Sequence, residues 1–455
     1  MWVRVPPSPP TLFGRLPAGT PRANVEGSAS MILRAPRFEP RSLRGDISLP
    51  GDKSVSHRAL IIASASAEPT RISHLNAGRD VHATAEALRA LGVDLAADGD
   101  TLVVCGGTLH DPVAAIDAMN SGSTVRMMLG LCTGAGLRAQ FIGDASLSRR
   151  PMEPVAAHLR ALGARIHTTE GTLPIAIDGA SEDRSAHLIL VHPSAQIKSA
   201  LLFSALFSHR ALKISGDRET RDHTERLLAW MGAGIRWDGR EIDLYRPSVL
   251  GGGEIVVPGD FSAAAFFVVG ATLAPGSAIT IRDVNLNSTR TGLLDVLDAM
   301  GARIERRNLR ERSGEPVGDL FVEHAALRAT SVDSQSALRA IDELPLLAIA
   351  AAFASGRSTI SGVRDLRTKE SDRLAAIHRL LAAVGVSAED LPNGIAIEGG
   401  SPAPSGIAVD SRDDHRIQMA AAMLGCAAGP VEIDSVNAID VSFPDFFERL
   451  ERASV

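Results

Sequence analysis

Apolar stretches with helical spacing alternate along this chain with short runs of alternating apolar and polar residues, and the same order keeps returning. Five times an Ala/Leu-rich helical stretch closes on an apolar residue and a glycine: Leu91-Gly92, Leu162-Gly163, Met231-Gly232, Met300-Gly301 and Val384-Gly385. Glycine at that position takes the left-handed turn that ends a helix. Before each stop lies a second apolar helix and then a β-rich run, at 71–73, 140–142, 212–214, 278–281 and 358–360. The pattern predicts a βαβαββ unit repeating at roughly 65–85 residues. A sixth unit opens near Asp414 with helices at 417–424 and 446–450, and residues 32–49 are expected to supply its missing strands. Six units divide into three and three.

The join is also visible. Val257-Pro258-Gly259-Asp260-Phe261-Ser262 echoes Leu49-Pro50-Gly51-Asp52-Lys53-Ser54, and both precede an apolar helix. Two such turns side by side predict a two-stranded hinge between an α/β lobe of residues 51–258 and a second lobe of 31–50 plus 259–455. Ligands commonly bind between such lobes.

Composition narrows the classes. A chain of 455 residues exceeds one ordinary core, and 45% hydrophobic with 22% charged residues describes a globular protein. The net charge of −6 argues against a general nucleic-acid binder. No apolar run reaches membrane-spanning length. Cys105, Cys132 and Cys426 are widely spaced, which suggests a reducing, cytoplasmic setting and offers no zinc pattern. Residues 1–30 carry six prolines and no acidic residue before Glu26, and read as a disordered leader ahead of Met31.

Candidate chemistry gathers where the units open. Gly51-Asp52-Lys53-Ser54-Val55-Ser56-His57-Arg58 sets Lys53, Ser54 and Arg58 around a helix start, where free N–H groups favour an anion. Asn120-Ser121-Gly122-Ser123-Thr124-Val125-Arg126 opens another helix with small residues. Arg149-Arg150 precede Pro151 as a helix-opening proline, and Ser194-Ala195-Gln196 leads toward Lys198. Two acids, Asp342 and Glu343, stand ahead of an apolar helix at 346–353. Lys369-Glu370-Ser371-Asp372-Arg373 and Asp414-His415-Arg416 complete the set. Each segment taken alone also reads as an ordinary capped or salt-bridged helix start. Only four of the 47 basic residues are lysine: Lys53, Lys198, Lys213 and Lys369. Three of them fall in these segments, where a compact ammonium has not been replaced by a guanidinium. Repeat symmetry would bring Lys53, Arg58, Arg150, Lys369, Arg373 and Arg416 to one cleft facing Asp342 and Glu370. That is a site for a small polyanion with carboxylates available for proton transfer.

Taken in order, these seven motifs resemble the 5-enolpyruvylshikimate-3-phosphate synthase family, the 3-phosphoshikimate 1-carboxyvinyltransferases, from about Arg34 to Arg449. The resemblance implies a two-lobed inside-out α/β barrel and transfer of the enolpyruvyl group of phosphoenolpyruvate to the 5-hydroxyl of shikimate 3-phosphate, with release of phosphate. No metal or organic cofactor, nucleic acid or membrane is implied, and the chain is expected to act as a monomer. By the same resemblance, Lys53, Ser54, Arg58, Ser194, Ala195, Gln196, Arg221, Asp342 and Lys369 hold shikimate 3-phosphate. Lys53, Gly122, Arg150, Gln196, Arg373 and Arg416 hold phosphoenolpyruvate. Asp342 and Glu370, with Lys53, carry the catalysis: Asp342 takes the hydroxyl proton and Glu370 serves the methylene carbon. Ala195 stands where many members have a second serine, and Ser442 precedes Phe443 where some have lysine. The run Arg221-Asp222-His223-Thr224 is similar to the more divergent bacterial branch. A related carboxyvinyltransferase acting on UDP-N-acetylglucosamine would carry a cysteine within 143–150, where this chain has none. A hinged anion receptor without chemistry is the remaining alternative, and it has no use for two carboxylates facing its ligand.

Overall fold

The computed structural model describes residues 37–179, 186–216, 220–246 and 250–455; the 1–30 leader lies outside them. The architecture is mixed α/β, and the repeat is regular. Among the described residues five sheets have four strands each, joined in one pattern. The first strand of a unit pairs parallel with the second, the second antiparallel with the fourth, and the fourth antiparallel with the third. In the second unit these are Ile116–Asp117, Ala139–Ile142, Ile166–Thr169 and Thr172–Ile177. No sheet among the described residues closes on itself. The five glycines that stop the helices have φ between 71° and 95°, as the pattern requires.

Helices lie inside and sheets outside, for a reason written in their sequences. The first long helix of every unit is buried on nearly every side, and Phe261–Leu273 and Leu344–Phe353 are apolar all round as well; the other four are Lys53–Ala63, Gly122–Ala135, Ala195–Phe207 and His415–Ala428. A helix without a polar face belongs in a core. All thirteen residues of Phe261–Leu273 are buried. The second helix of each unit keeps a solvent face, and strands such as Ala139–Ile142 alternate buried and exposed positions. The buried apolar side chains form two clusters. One runs from Val55 to Val257; the other joins Leu43, Ile47 and Leu49 to residues between Phe261 and Ala453. These are called lobe one and lobe two below.

Of the segment 32–49, expected in the sixth unit, the described residues 37–49 are shared between two sheets. Arg37–Phe38 pairs antiparallel with Val431–Glu432 of the sixth unit. Arg44–Ile47 instead lies parallel to Ala278–Ile281 and is the first strand of the fourth. Ile47 and neighbouring Leu43 thereby enter the lobe-two core. Lobe one closes in the same way, because Gly253–Val256 pairs parallel with Thr70–Ser73. Each Pro-Gly-Asp turn therefore carries the chain from an edge strand of one lobe into an inner helix of the other. The two turns bond to each other: Asp52 N–H donates to the Pro258 carbonyl at 2.7 Å, and Asp260 N–H to that of Pro50 at 3.0 Å. A Cβ at Gly51 would lie 1.8 Å from the His74 carbonyl oxygen, so the first turn admits only glycine.

Candidate active site

The aspartates of both Pro-Gly-Asp turns are helix caps. Asp52 accepts from Val55 N at 3.1 Å and Asp260 from Ser262 N at 2.7 Å. Lys53 opens the first helix; its backbone N–H donates to Asp260 Oδ2 and its Nζ to Asp80 Oδ2, each at 2.9 Å. Lys53 shares the small cleft between the lobes with Asp260, Ser262, Arg416, Ser442 and Phe443.

On the lobe-one face, cations are held by neutral groups. Arg58 is buried and donates to Thr224 Oγ1 at 2.8 Å, Ser199 Oγ at 2.9 Å and the Ser54 carbonyl at 2.8 Å. Burial pulls its pKa down to about 10. Ser121 and Ser194 do cap their helices, accepting from Thr124 N at 3.2 Å and Ile197 N at 3.3 Å. Ala195 and Gln196 follow in the first turn. Gln196 Oε1 accepts from Arg126 Nη1 at 2.8 Å, and its Nε2 donates to Ser123 Oγ at 3.0 Å. Gly122 leaves space for that guanidinium: a Cβ there would meet Arg126 Nη1 at 2.7 Å. Burial and nearby Arg150 bring Arg126 down to about 10 as well. Arg150 donates to the Asn120 carbonyl at 3.2 Å, to Asn120 Oδ1 and to Ser146 Oγ. The helix after it starts at Glu153, two residues beyond Pro151.

Lobe two carries the acids. Glu343 makes no capping bond at the head of Leu344–Phe353, and Asp342 faces four cations. Arg221, from lobe one, stands 2.7 Å away, Lys369 and Arg373 3.6 Å, and Arg416 3.8 Å. Burial alone would raise the Asp342 pKa, but these cations hold it well below the usual carboxylate range. Glu370 meets Arg373 Nη2 at 2.5 Å and Arg150 Nη1, across the cleft, at 3.8 Å; it too is held low against its burial. Arg373 is 1% exposed and donates to Asp414 Oδ2 at 2.8 Å; Asp414 and Glu370 raise its pKa in spite of burial. The neighbouring His415 is pushed down to about 3 by burial and Lys53, so it is neutral at pH 7.

The structure thus brings together Arg150, Arg221, Asp342, Lys369, Glu370, Arg373 and Arg416, with Lys53 in the adjoining cleft. Arg58 is turned into lobe one, and Lys198 is engaged in a buried pair with Glu225 at 2.8 Å. Arg126 and Asp80 were not singled out as site residues from the sequence. Arg126 lay in view: it is four residues from Gly122 and so shares its helix face. Asp80 sits in an ordinary helix start, and no pattern marks it. Among the described residues, no group of three or more His, Cys, Asp or Glu side chains is placed to hold a metal ion, and no helix is long and apolar enough to cross a membrane.

Comparison with known proteins meets the same geometry. A family model for EPSP synthase (3-phosphoshikimate 1-carboxyvinyltransferase) matches residues 39–450. The 3-phosphoshikimate 1-carboxyvinyltransferase of Anaeromyxobacter sp. (strain Fw109-5) is 43% identical over 413 residues, covering 90% of this chain and 96% of the relative. That of Thermus thermophilus is 43% identical over 416 residues, with 90% and 96% covered. A solved EPSP synthase from Acinetobacter baumannii superposes with a TM-score of 0.81 at 35% identity, covering 92% of this chain and 98% of that one. The enolpyruvyl transferase NikO from Streptomyces tendae shares the fold, with a TM-score of 0.73 at 16% identity over 92% and 97% of the two chains. Seven ordered motifs, five repeated four-stranded units and a cation-lined cleft with two paired carboxylates are accounted for together, because the chain belongs to the EPSP synthase family.

Proposed function

We propose that this protein transfers the enolpyruvyl group of phosphoenolpyruvate to the 5-hydroxyl of shikimate 3-phosphate and releases phosphate. One observation carries the reading: Asp342 lies at the meeting of the lobes among four cations, and Glu370 shares one of them, Arg373, and meets Arg150 besides. Two multiply charged anions need such a concentration of positive charge. Shikimate 3-phosphate is assigned to Lys53, Ser54, Arg58, Ser194, Ala195, Gln196, Arg221, Asp342 and Lys369. Phosphoenolpyruvate is assigned to Lys53, Gly122, Arg150, Gln196, Arg373 and Arg416.

In this assignment the bound anions draw cations away from Glu370, which then takes up a proton from solvent; the 5-hydroxyl oxygen bonds to C2 of phosphoenolpyruvate while Asp342 takes the hydroxyl proton and Glu370 delivers its own to the methylene carbon. The C2–O bond to phosphate then breaks, and a methyl proton returns to Glu370. Asp342 is a weak base while four cations surround it. Bound anions share those cations, which raises its pKa toward the value a general base needs. The two apolar clusters are proposed to be separate lobes, 51–258 and 31–50 with 259–455, that close on the substrates. Action as a cytoplasmic monomer completes the reading, and sedimentation at working concentration checks the monomer.

Phosphate release from phosphoenolpyruvate, with and without shikimate 3-phosphate, tests the activity. Release that depends on shikimate 3-phosphate supports it. Release driven by UDP-N-acetylglucosamine would favour the related transferase, and binding without release would leave an anion receptor.

A further inference from the structure

Resting on that reaction, we infer that Arg290 is a positioning residue: one guanidinium ties the two hinge turns together and so sets Lys53 of lobe one against Asp342 of lobe two. Arg290 lies between the strand Ala278–Asn285 and the helix Gly292–Met300 and is 1% exposed. Its Nη1 donates to Asp52 Oδ2. Its Nη2 donates to Ser262 Oγ at 2.8 Å and faces Asp260 Oδ1 at 3.4 Å. The fork therefore addresses the cap of an inner helix in each lobe.

Both ends of this contact reach the site. Asp52 directly precedes Lys53, and Asp260 Oδ2 accepts the Lys53 backbone N–H. Ser262 Oγ, accepting from Arg290, donates its own O–H to Glu343 Oε1, and Glu343 follows Asp342 directly in the chain. Apart from the part-buried Lys53 N–H bond, each link joins buried groups in a region of low dielectric, where such bonds hold geometry tightly. Burial and the neighbouring Asp260 push Asp52 upward, and Arg290 opposes them. A lysine would keep the positive charge but supplies one ammonium in place of two separated nitrogens. It can serve one turn well, not both. A packing role alone needs neither the fork nor the route to Lys53 and Asp342.

The test uses the full chain with Arg290→Lys, Arg290→Gln and the charge-balanced pair Asp52→Asn/Arg290→Gln, beside Arg357→Gln on a surface strand as control. Melting temperature, kcat, and KM for both substrates are measured by phosphate release, each well below the variant's melting point. The expected result is a folded Arg290→Lys with kcat down by about 10- to 100-fold and KM values within about threefold, since a displacement near 1 Å costs about that much in rate. The charge-balanced pair should regain melting temperature without regaining kcat. Wild-type kcat in Arg290→Lys, recovery of kcat along with melting temperature in the pair, or failure of all three variants to fold would overturn the inference and leave a stability element. A wild-type protein with no activity dependent on shikimate 3-phosphate would instead defeat the proposed reaction, so the two failures are distinct.

Discussion

The two lobes hold the cations at and beneath the cleft in opposite ways. Lobe one surrounds Arg58, Arg126 and Arg150 mostly with hydroxyls, amides and carbonyls: Thr224, Ser199, Gln196, Asn120 and the main chain of Ser54 and Pro151. Lobe two gives Lys369, Arg373 and Arg416 the carboxylates of Asp342, Glu343, Glu370 and Asp414. The exceptions on the first face are Lys53, paired with Asp80, and the arms Arg150 and Arg221, which reach across to acids of lobe two. The consequence appears in proton affinity. Arg58 and Arg126 fall to about 10, whereas Arg373 rises. A face of cations on neutral partners keeps uncompensated positive charge for an anion. A face of ion pairs keeps its acids ionised and in place. In the proposed reaction lobe one serves as the receptor, and lobe two supplies the groups that move protons.

The sharpest way to break this comparison is to neutralise the acids. Asp342→Asn and Glu370→Gln should each lower kcat by about 10²–10⁴-fold. Binding of shikimate 3-phosphate should hold or tighten, because a negative charge beside an anionic ligand has gone. Turnover together with calorimetric titration separates the two effects. Near-normal kcat in both variants would make the acids merely structural.

Removing a lobe-one cation should do the reverse. Arg126→Ala and Arg150→Ala should weaken phosphoenolpyruvate binding by about 1.5–3 kcal/mol, the worth of a charge-assisted contact. That loss should appear chiefly in KM and diminish in high salt. Equal losses in kcat, with KM unchanged, would erase the distinction between the faces.

A smaller effect concerns the two buried histidines. His57 in lobe one and His415 in lobe two both have pKa values lowered by burial, and the cation Lys53 adds to each; Asp414 and Glu370 partly offset this for His415 alone. Below about pH 6.5 the unfolded histidine binds a proton that the buried ring refuses, so stability falls with acidification. The slope is about 1.4 kcal/mol per pH unit for each histidine. The low pKa values of Asp342 and Glu370 add their own loss only below the ordinary carboxylate range. Urea melts between about pH 7 and 5 should therefore flatten in His57→Gln. An unchanged slope would place a charged imidazole at His57.

Smallest of all, Arg357→Gln should leave both the melting temperature and turnover close to those of the wild type. Its pairs with Glu389 and Glu398 are half-exposed and screened. A fall in turnover here would mean that rates report general loosening and not the two faces.

Periodicity and spacing by themselves determined the repeat, because a glycine after an apolar helix end and an inner helix rich in apolar residues are local signatures. They also marked the doubled Pro-Gly-Asp turn and the charged segments that open the units. Contacts between units are a different matter. Nothing local says that Arg44–Ile47 joins the fourth sheet and not the sixth, since edge pairing is chosen by which core accepts Leu43 and Ile47. Asp342 and Glu343 read equally as helix caps until Arg221, Arg373 and Arg416 are seen around them. Lys198 lies in a segment that looks functional, yet it is buried against Glu225. Asp80 and Arg290 carry no pattern at all. Their roles arise from partners 27 and 238 residues away in the chain, and electrostatic partnership at such separations is a property of the folded shape alone.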